Sequence, residues 1–421
     1  MIDLRGQVRR SAPILFSPIV QRAARLTSRI GLPALVAGAI LLIGVGLRYA
    51  GLTQVAAEKP KPSMTAAELG GLLFFDVNLS KNRTQACASC HSPNLAFTDP
   101  RSNGKVGGAV SLGDDGHSLG ERNAPTATYA SLTPDFHFNV EGKAIGGLFL
   151  DGRARNLEEQ AAGPPLNPLE MGMPDKASVV ARLRENADYV AAFNALFGSA
   201  VLDDADKGYA AMTEAIAAFE RTPDFASFDS KYDRYLRGEV KLTDQEELGR
   251  VLFFSNQFTN CSQCHRLDTI GASAKETFTN YQYHNIGVPS NAALHAANGK
   301  PADRGLSANP GVKGTSQEAA RAGMFKVPTL RNVAVTGPYM HNGVFNDLRT
   351  VILFYDKYNN KNPKRQINPE TKQPWEPPEV PDNISIKELE IGPGLDDRRV
   401  DALVAFLKTL TDKRYEPLLP H

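Results

Sequence analysis

The stretches "QACASCHSP", residues 85–93, and "TNCSQCHRL", residues 259–267, hold all four cysteines of a 421-residue chain. Each contains one Cys-x-x-Cys-His. Two thiols three residues apart can each add to one vinyl group of a porphyrin. The histidine that follows then lies beneath the iron, so the pattern is the attachment signal for a c-type haem. Cys87, Cys90 and His91 are assigned to one haem, and Cys261, Cys264 and His265 to a second. Other uses of these residues fit less well. A redox-active dithiol does not need the histidine and belongs in a βαβ unit, of which the sequence has no sign. A zinc site would pool ligands from both pairs, yet the pairs are far apart and each has its own histidine. A disulfide across so short a span is strained.

The surroundings of the two motifs also repeat. "LGGLLFF" (Leu69–Phe75) precedes the first and "LGRVLFF" (Leu248–Phe254) the second. Each reads as the end of an amphipathic helix, with the polar starts "TAAE" and "TDQEE" resembling N-caps. Downstream, "AIAAFERT" (Ala215–Thr222) matches "ALVAFLKT" (Ala402–Thr409). Apolar residues recur there at helical spacing, Ile216 and Phe219 in one, Val400, Leu403, Leu407 and Leu410 in the other. Each half therefore runs helix, haem motif, long irregular middle, closing helix. Strand-like alternation is scarce, and 35 Gly and 28 Pro imply long loops. The expected fold is mainly α: two cytochrome c-like domains, residues 64–223 and 224–421, meeting near "RTPDFASFDSKYDRYL". Two long units are a duplication rather than a solenoid.

Hydrophobic content of 42% and charged content of 22% are those of a globular protein long enough for two or three cores. Charge is uneven. Residues 1–57 carry seven Arg against Asp3, so of the net +1 they hold +6 and the remainder −5. A mildly acidic body argues against nucleic acid and suits a basic redox partner. Residues 30–47, "IGLPALVAGAILLIGVGL", carry no charge and are about long enough to cross a bilayer core of roughly 20 residues. Six Arg precede them, which keeps the N-terminus cytoplasmic and sends the body outward. Residues 1–57 are thus a targeting or anchor segment. "QVAA" offers Val55 and Ala57 as cleavage positions, while the long polar lead favours retention in the inner membrane. Either way the body is periplasmic or otherwise extracytoplasmic, where c-type haem is attached.

Between the motifs lie "RNAPTATYASL" (Arg122–Leu132) and "LDGRARNLEEQAAGPPLNPLEMG" (Leu150–Gly172). After the second comes "FKVPTLRNVAVTGPYMHNGVF" (Phe325–Phe345). With the two haem motifs, these strings resemble the bacterial di-haem cytochrome c peroxidases and their relatives, the methylamine-utilisation maturases of the MauG type, over residues 64–415. The resemblance implies that the N-terminal haem reacts with hydrogen peroxide, and that Gln160 and Glu170 flank its distal side. A carboxylate there can shuttle a proton between the peroxide oxygens, and an amide can orient them. On the residues alone, Glu170 reads more readily as a helix-start residue after the Asn167-Pro168 turn, and Gln160 as a surface side chain.

The resemblance also implies a calcium ion between the haems, held by Asn123, Thr336 and Pro338, the last two through backbone oxygen; without it these read as turn residues. The sixth ligand of the second haem separates the branches. A peroxidase places Met there, whereas the MauG type places Tyr, here Tyr355, with Tyr358 and Met340 as rivals. His341 is implied near this second haem. Relatives carry Trp in "WDGRA", but this chain has Leu150 in "FLDGRA", and leucine cannot relay electrons. The single Trp375 falls in "NPETKQPWEPPEVPDN", which reads as a surface loop. His117, in the Gly-rich "SLGDDGHSLG", is either a gate on the first haem or a solvated loop residue. A small cytochrome c or copper protein is the implied electron donor, and family members are often homodimers. The main reading is a di-haem peroxidase that reduces hydrogen peroxide to water. The second is a maturase that oxidises residues of a partner protein, and a di-haem electron carrier is a third.

Overall fold

A computed structural model describes residues 64–101, 106–267 and 275–420. Residues 1–57, with the expected anchor, lie outside these. Among the described residues no helix is long and apolar enough to cross a membrane.

The architecture is mainly helical. Its only named strands, among the described residues, are two antiparallel pairs of two residues each: His137–Phe138 with Ala144–Ile145, and Tyr283–His284 with Phe325–Lys326. The two opening helices, Ala66–Phe74 and Asp244–Phe253, start where the polar signals place them. Thr65 Oγ1 accepts from Glu68 N–H (3.2 Å) and Glu68 returns a bond to Thr65 N–H (2.7 Å). Thr243 and Glu246 repeat this box at 3.3 and 2.7 Å. Such reciprocal caps satisfy amide donors that the first turn leaves unpaired.

The opening helix of each half crosses its closing helix, Ala205–Glu220 in the first and Asp397–Lys408 in the second. The crossings use the same chemistry. A Cβ added to Gly70 would overlap the carbonyl of Ala215, and one added to Gly249 would overlap the carbonyl of Ala402. Only glycine lets the backbones come this near. Each crossing organises a core. Leu69, Leu73, Phe74, Phe193, Met212, Ile216 and Phe225 belong to one, and Tyr232, Phe253, Phe278, Leu353, Leu403 and Phe406 to the other.

The long loops meet between these cores. Lys326 N–H donates to Leu150 O (2.9 Å), and Asn123 N–H to His341 O (2.7 Å). Asn332 Nδ2 donates to Asp412 Oδ2 (2.9 Å) and Thr128 Oγ1 (3.2 Å). Trp375 is half-buried in a largely exposed loop. Its indole packs against Phe345 and Phe354, with Nε1–H donating to Arg365 O (2.8 Å). Proline punctuation marks the loop correctly, but the indole's apolar area draws it onto the second core.

Candidate functional site

Each haem motif forms a single helical turn, Cys87–Cys90 and Cys261–Cys264. His91 N–H donates to Cys87 O (2.9 Å), and His265 N–H to Cys261 O (2.8 Å). The turn places both thiols and the imidazole on one side of the chain. None of the four cysteines is paired in a disulfide.

The imidazoles are oriented identically. His91 Nδ1 lies 3.1 Å from Phe97 O, and His265 Nδ1 lies 3.2 Å from Phe278 O. A carbonyl only accepts, so Nδ1 carries the proton and Nε2 keeps its lone pair. This is how proteins hold a metal-binding histidine in the required tautomer. Burial lowers the pKa of both rings, that of His265 to about 4, so each is neutral, as a ligand must be. Two thiols, a neutral imidazole and a fixed tautomer, present twice, fit two c-type haems.

Glu170 faces the first motif. Its carboxyl lies within electrostatic reach of both Cys87 and Cys90. Burial raises its pKa, opposed by a hydrogen bond from Asn167 Nδ2 to Oε1 (2.8 Å) and by the charge of Arg153. Gln160 lies on the short helix Leu157–Ala161, capped by Asn156, whose Oδ1 accepts from Glu159 N–H (3.1 Å). The Gln160 side chain is half-buried and makes no hydrogen bond among the described residues. Glu220 was not anticipated. It is buried, its Oε2 has no partner, burial pushes its pKa up to about 8, and its charge acts on Cys87. Its only sequence signal is a departure from the repeat, since "AIAAFERT" has Glu220 where "ALVAFLKT" has Leu407. His117 sits exposed on a turn, its N–H bonded to Asp115 Oδ1 (2.8 Å), the setting of a solvated loop histidine.

Asn123, Thr336 and Pro338 line one small cavity, together with Thr98, Asp99 and Ser111. Asn123 turns Nδ2 toward Ala109 O (3.0 Å), leaving Oδ1 as its unengaged acceptor. This lining is rich in oxygen donors and holds no thiol or imidazole, which suits a hard cation.

At the second motif, burial raises the Tyr355 phenol, and the Cys264 and Cys261 thiols add to the shift. The Tyr358 hydroxyl is engaged elsewhere, on Ile286 O (3.0 Å). His284 joins this site, another residue the sequence did not single out. Its charge acts on His265, its Nε2 is buried without a partner, and its Nδ1 lies 3.3 Å from Ser385 Oγ. His341 is held by contacts on both its ring and its backbone. Its ring stacks on Phe325 (3.8 Å between centroids), and its Nε2 lies 3.2 Å from Glu379 Oε2. Its carbonyl accepts from Asn123, so it belongs to the loop junction around the oxygen-lined cavity.

Residues 64–241 match the family model for di-haem cytochrome c peroxidases. The chain is 56% identical over 367 residues to the methylamine utilization protein MauG of Paracoccus denitrificans, covering 86% of this chain and 93% of that protein. The chain belongs to the di-haem cytochrome c peroxidase family. This di-haem peroxidase-type oxidoreductase is also 33% identical over 314 residues to the cytochrome c551 peroxidase of Nitrosomonas europaea, covering 72% of this chain and 79% of that one. Its fold is similar to that of the diheme peroxidase BthA of Burkholderia thailandensis, with a TM-score of 0.75 and 34% identity over 86% of this chain and 89% of that one.

Proposed function

We propose that the protein is an exported di-haem peroxidase that reduces hydrogen peroxide at the His91 site and is refilled by a small one-electron donor protein through the His265 site. A c-type haem held at His91 supplies the redox-active iron that opens the oxygen–oxygen bond. The observation that carries the reading is Glu170, a half-buried carboxyl within electrostatic reach of the Cys87–Cys90 turn and pinned by Asn167. In its ionised form it takes the proton of the near peroxide oxygen and returns it to the departing one. Gln160, with its amide unengaged, orients the peroxide. The oxygen-lined cavity at Asn123, Thr336 and Pro338 supports a calcium site that ties the two halves together. Asn123→Ala should lower the calcium content of purified protein from about one ion per chain toward zero, read by atomic emission; full retention would remove Asn123 from the ligand set.

Tyr355 supports the second reading, a MauG-like maturase that oxidises residues of a partner protein. A phenolate ligand favours ferric and higher iron and lowers the potential. Tyr355→Met should raise the midpoint potential of the second haem by on the order of 100 mV or more, by spectroelectrochemistry. An unchanged potential would mean that Tyr355 does not ligate. The two readings separate in one experiment: the haem-loaded ferric protein is mixed with peroxide and a reduced small cytochrome c. Sustained peroxide-dependent oxidation of the cytochrome is expected. A fast haem response with no turnover of any cytochrome or copper-protein donor would leave the maturase reading, and no haem response would overturn both.

A further inference from the structure

The two histidines are linked on the side of their Nδ1 atoms by a continuous run of buried groups. Phe97 O, which takes the His91 Nδ1–H, also accepts from Ala127 N–H (3.2 Å). The Phe97 ring stacks on Phe225 at 4.2 Å, and Phe225 O accepts from Tyr129 N–H (2.8 Å). On the far side, Arg331 Cζ lies 5.3 Å from the Tyr129 ring and 5.3 Å from the Phe278 ring. Phe278 O takes the His265 Nδ1–H. Tyr129 therefore stands on a chain of contacts that joins the two histidines by a route that does not involve Leu150.

Its hydroxyl is set up for proton transfer. Tyr129 is 2% exposed and its O–H donates to Asp412 Oδ1 at 2.6 Å; Asp412 is 1% exposed. Asn332 Nδ2 holds the other carboxylate oxygen at 2.9 Å, and Phe228 N–H donates to the Tyr129 oxygen at 3.1 Å. One other buried phenol, Tyr189, has a carboxylate partner, Asp76, but it lies outside this run. Tyr209, Tyr283, Tyr339 and Tyr358 each donate to a backbone carbonyl, which takes no proton.

We propose that Tyr129 is a redox-active relay between the two haem sites, with Asp412 as its proton acceptor. The proposal rests on the peroxide reading, since hydrogen peroxide supplies the oxidising equivalents. One electron leaves the Tyr129 ring for an oxidised haem site. The phenolic O–H bond breaks, its proton forms a bond to Asp412 Oδ1, and a neutral phenoxyl remains. An electron from the donor protein, with the proton returned from Asp412, restores the phenol. Because the proton moves to a carboxylate already at hydrogen-bond distance, the pocket loses a negative charge instead of acquiring an isolated positive one, which burial would oppose. The Arg331 charge is matched throughout by Asp233, at 2.5 and 2.9 Å.

The test uses the full haem-loaded chain, mixed with peroxide without donor and freeze-quenched. Absorbance follows the haems and electron paramagnetic resonance follows radicals. A tyrosyl signal is expected in the wild type and should fall at least about tenfold in Tyr129→Phe, with the initial haem absorbance change retained. A nitroso spin trap should label Tyr129, located by peptide mass spectrometry. Asp412→Asn keeps a hydrogen-bond acceptor but no base, and should lower the radical yield likewise; it also serves if Tyr129→Phe does not take up haem. A signal unchanged in both variants, or a reacted wild type without a tyrosyl signal, overturns the proposal. If the haem absorbance ignores peroxide, the peroxide reading has failed instead. A flash-generated ruthenium photo-oxidant then delivers the hole to the same proteins and decides on Tyr129 by the same signal.

Discussion

Glu170→Gln slows the reaction of the first haem with peroxide by about 10²–10⁴-fold, the usual worth of one positioned proton-transfer group. The haem absorbance before mixing should be unchanged, because Glu170 is not part of the Cys87–His91 attachment turn. Glutamine preserves the shape and can still accept the hydrogen bond from Asn167 Nδ2 that now holds Oε1 at 2.8 Å. What it lacks is a basic oxygen. The pH profile supplies a signature that a purely structural role would not produce. Burial raises the Glu170 pKa above the ordinary carboxyl value. The ionised form is the one that accepts the peroxide proton, so the rate falls as pH drops through the raised pKa. The acid limb therefore begins at higher pH than for an ordinary carboxylate, and it disappears in the glutamine variant. Stopped-flow absorbance across pH reads both effects. A variant rate within threefold of wild type would exclude Glu170 from the chemistry.

Asp233→Asn is expected to be the most damaging single change to stability outside the haem sites. Arg331 is 1% exposed, among the largest fully buried side chains of the chain. Both its terminal nitrogens are held by Asp233, and its Cζ is boxed by the rings of Tyr129, Phe228 and Phe278 at 4.9–5.3 Å. Asp233 also accepts from Ser230 N–H (2.9 Å) and closes the cap of the Lys231–Leu236 helix. Removing its charge leaves a guanidinium buried without a counter-ion, at a cost of about 3–5 kcal/mol. The urea midpoint of the haem-loaded protein should fall accordingly. The double variant Asp233→Leu with Arg331→Met should recover most of the loss, since it strands no charge. A single-variant cost below about 1 kcal/mol would mean that water reaches the pair.

Local chemistry made much of this molecule legible. The capping threonines at 65 and 243, the helix repeats and the spacing of Cys, Cys and His act within a few residues, so they can be read from order along the chain. The gathering of Asn123, Thr336 and Pro338 around one cavity was reached only through family resemblance, because nothing in "TGP" alone points to residue 123. Groups that meet across the fold were not readable. The pairing of Tyr129 with Asp412 and of Arg331 with Asp233 depends on how the long loops pack between the cores. Trp375 shows the same limit: proline-rich composition marks its largely exposed loop, but not what the indole finds to cover. The stacking of His341 on Phe325 and its pairing with Glu379 are likewise contacts across the fold.

The bare helix crossings carry a consequence for biogenesis. Gly70 meets Ala215, and Gly249 meets Ala402, only after the whole intervening stretch of each half has been made. Closing so long a loop is entropically unfavourable until its end arrives. The Cys-x-x-Cys-His turns lie early in each stretch, and so are available before the helix that will close over them exists. The order of elements along the chain is thus also a timetable: haem first, closure afterwards, once for each half.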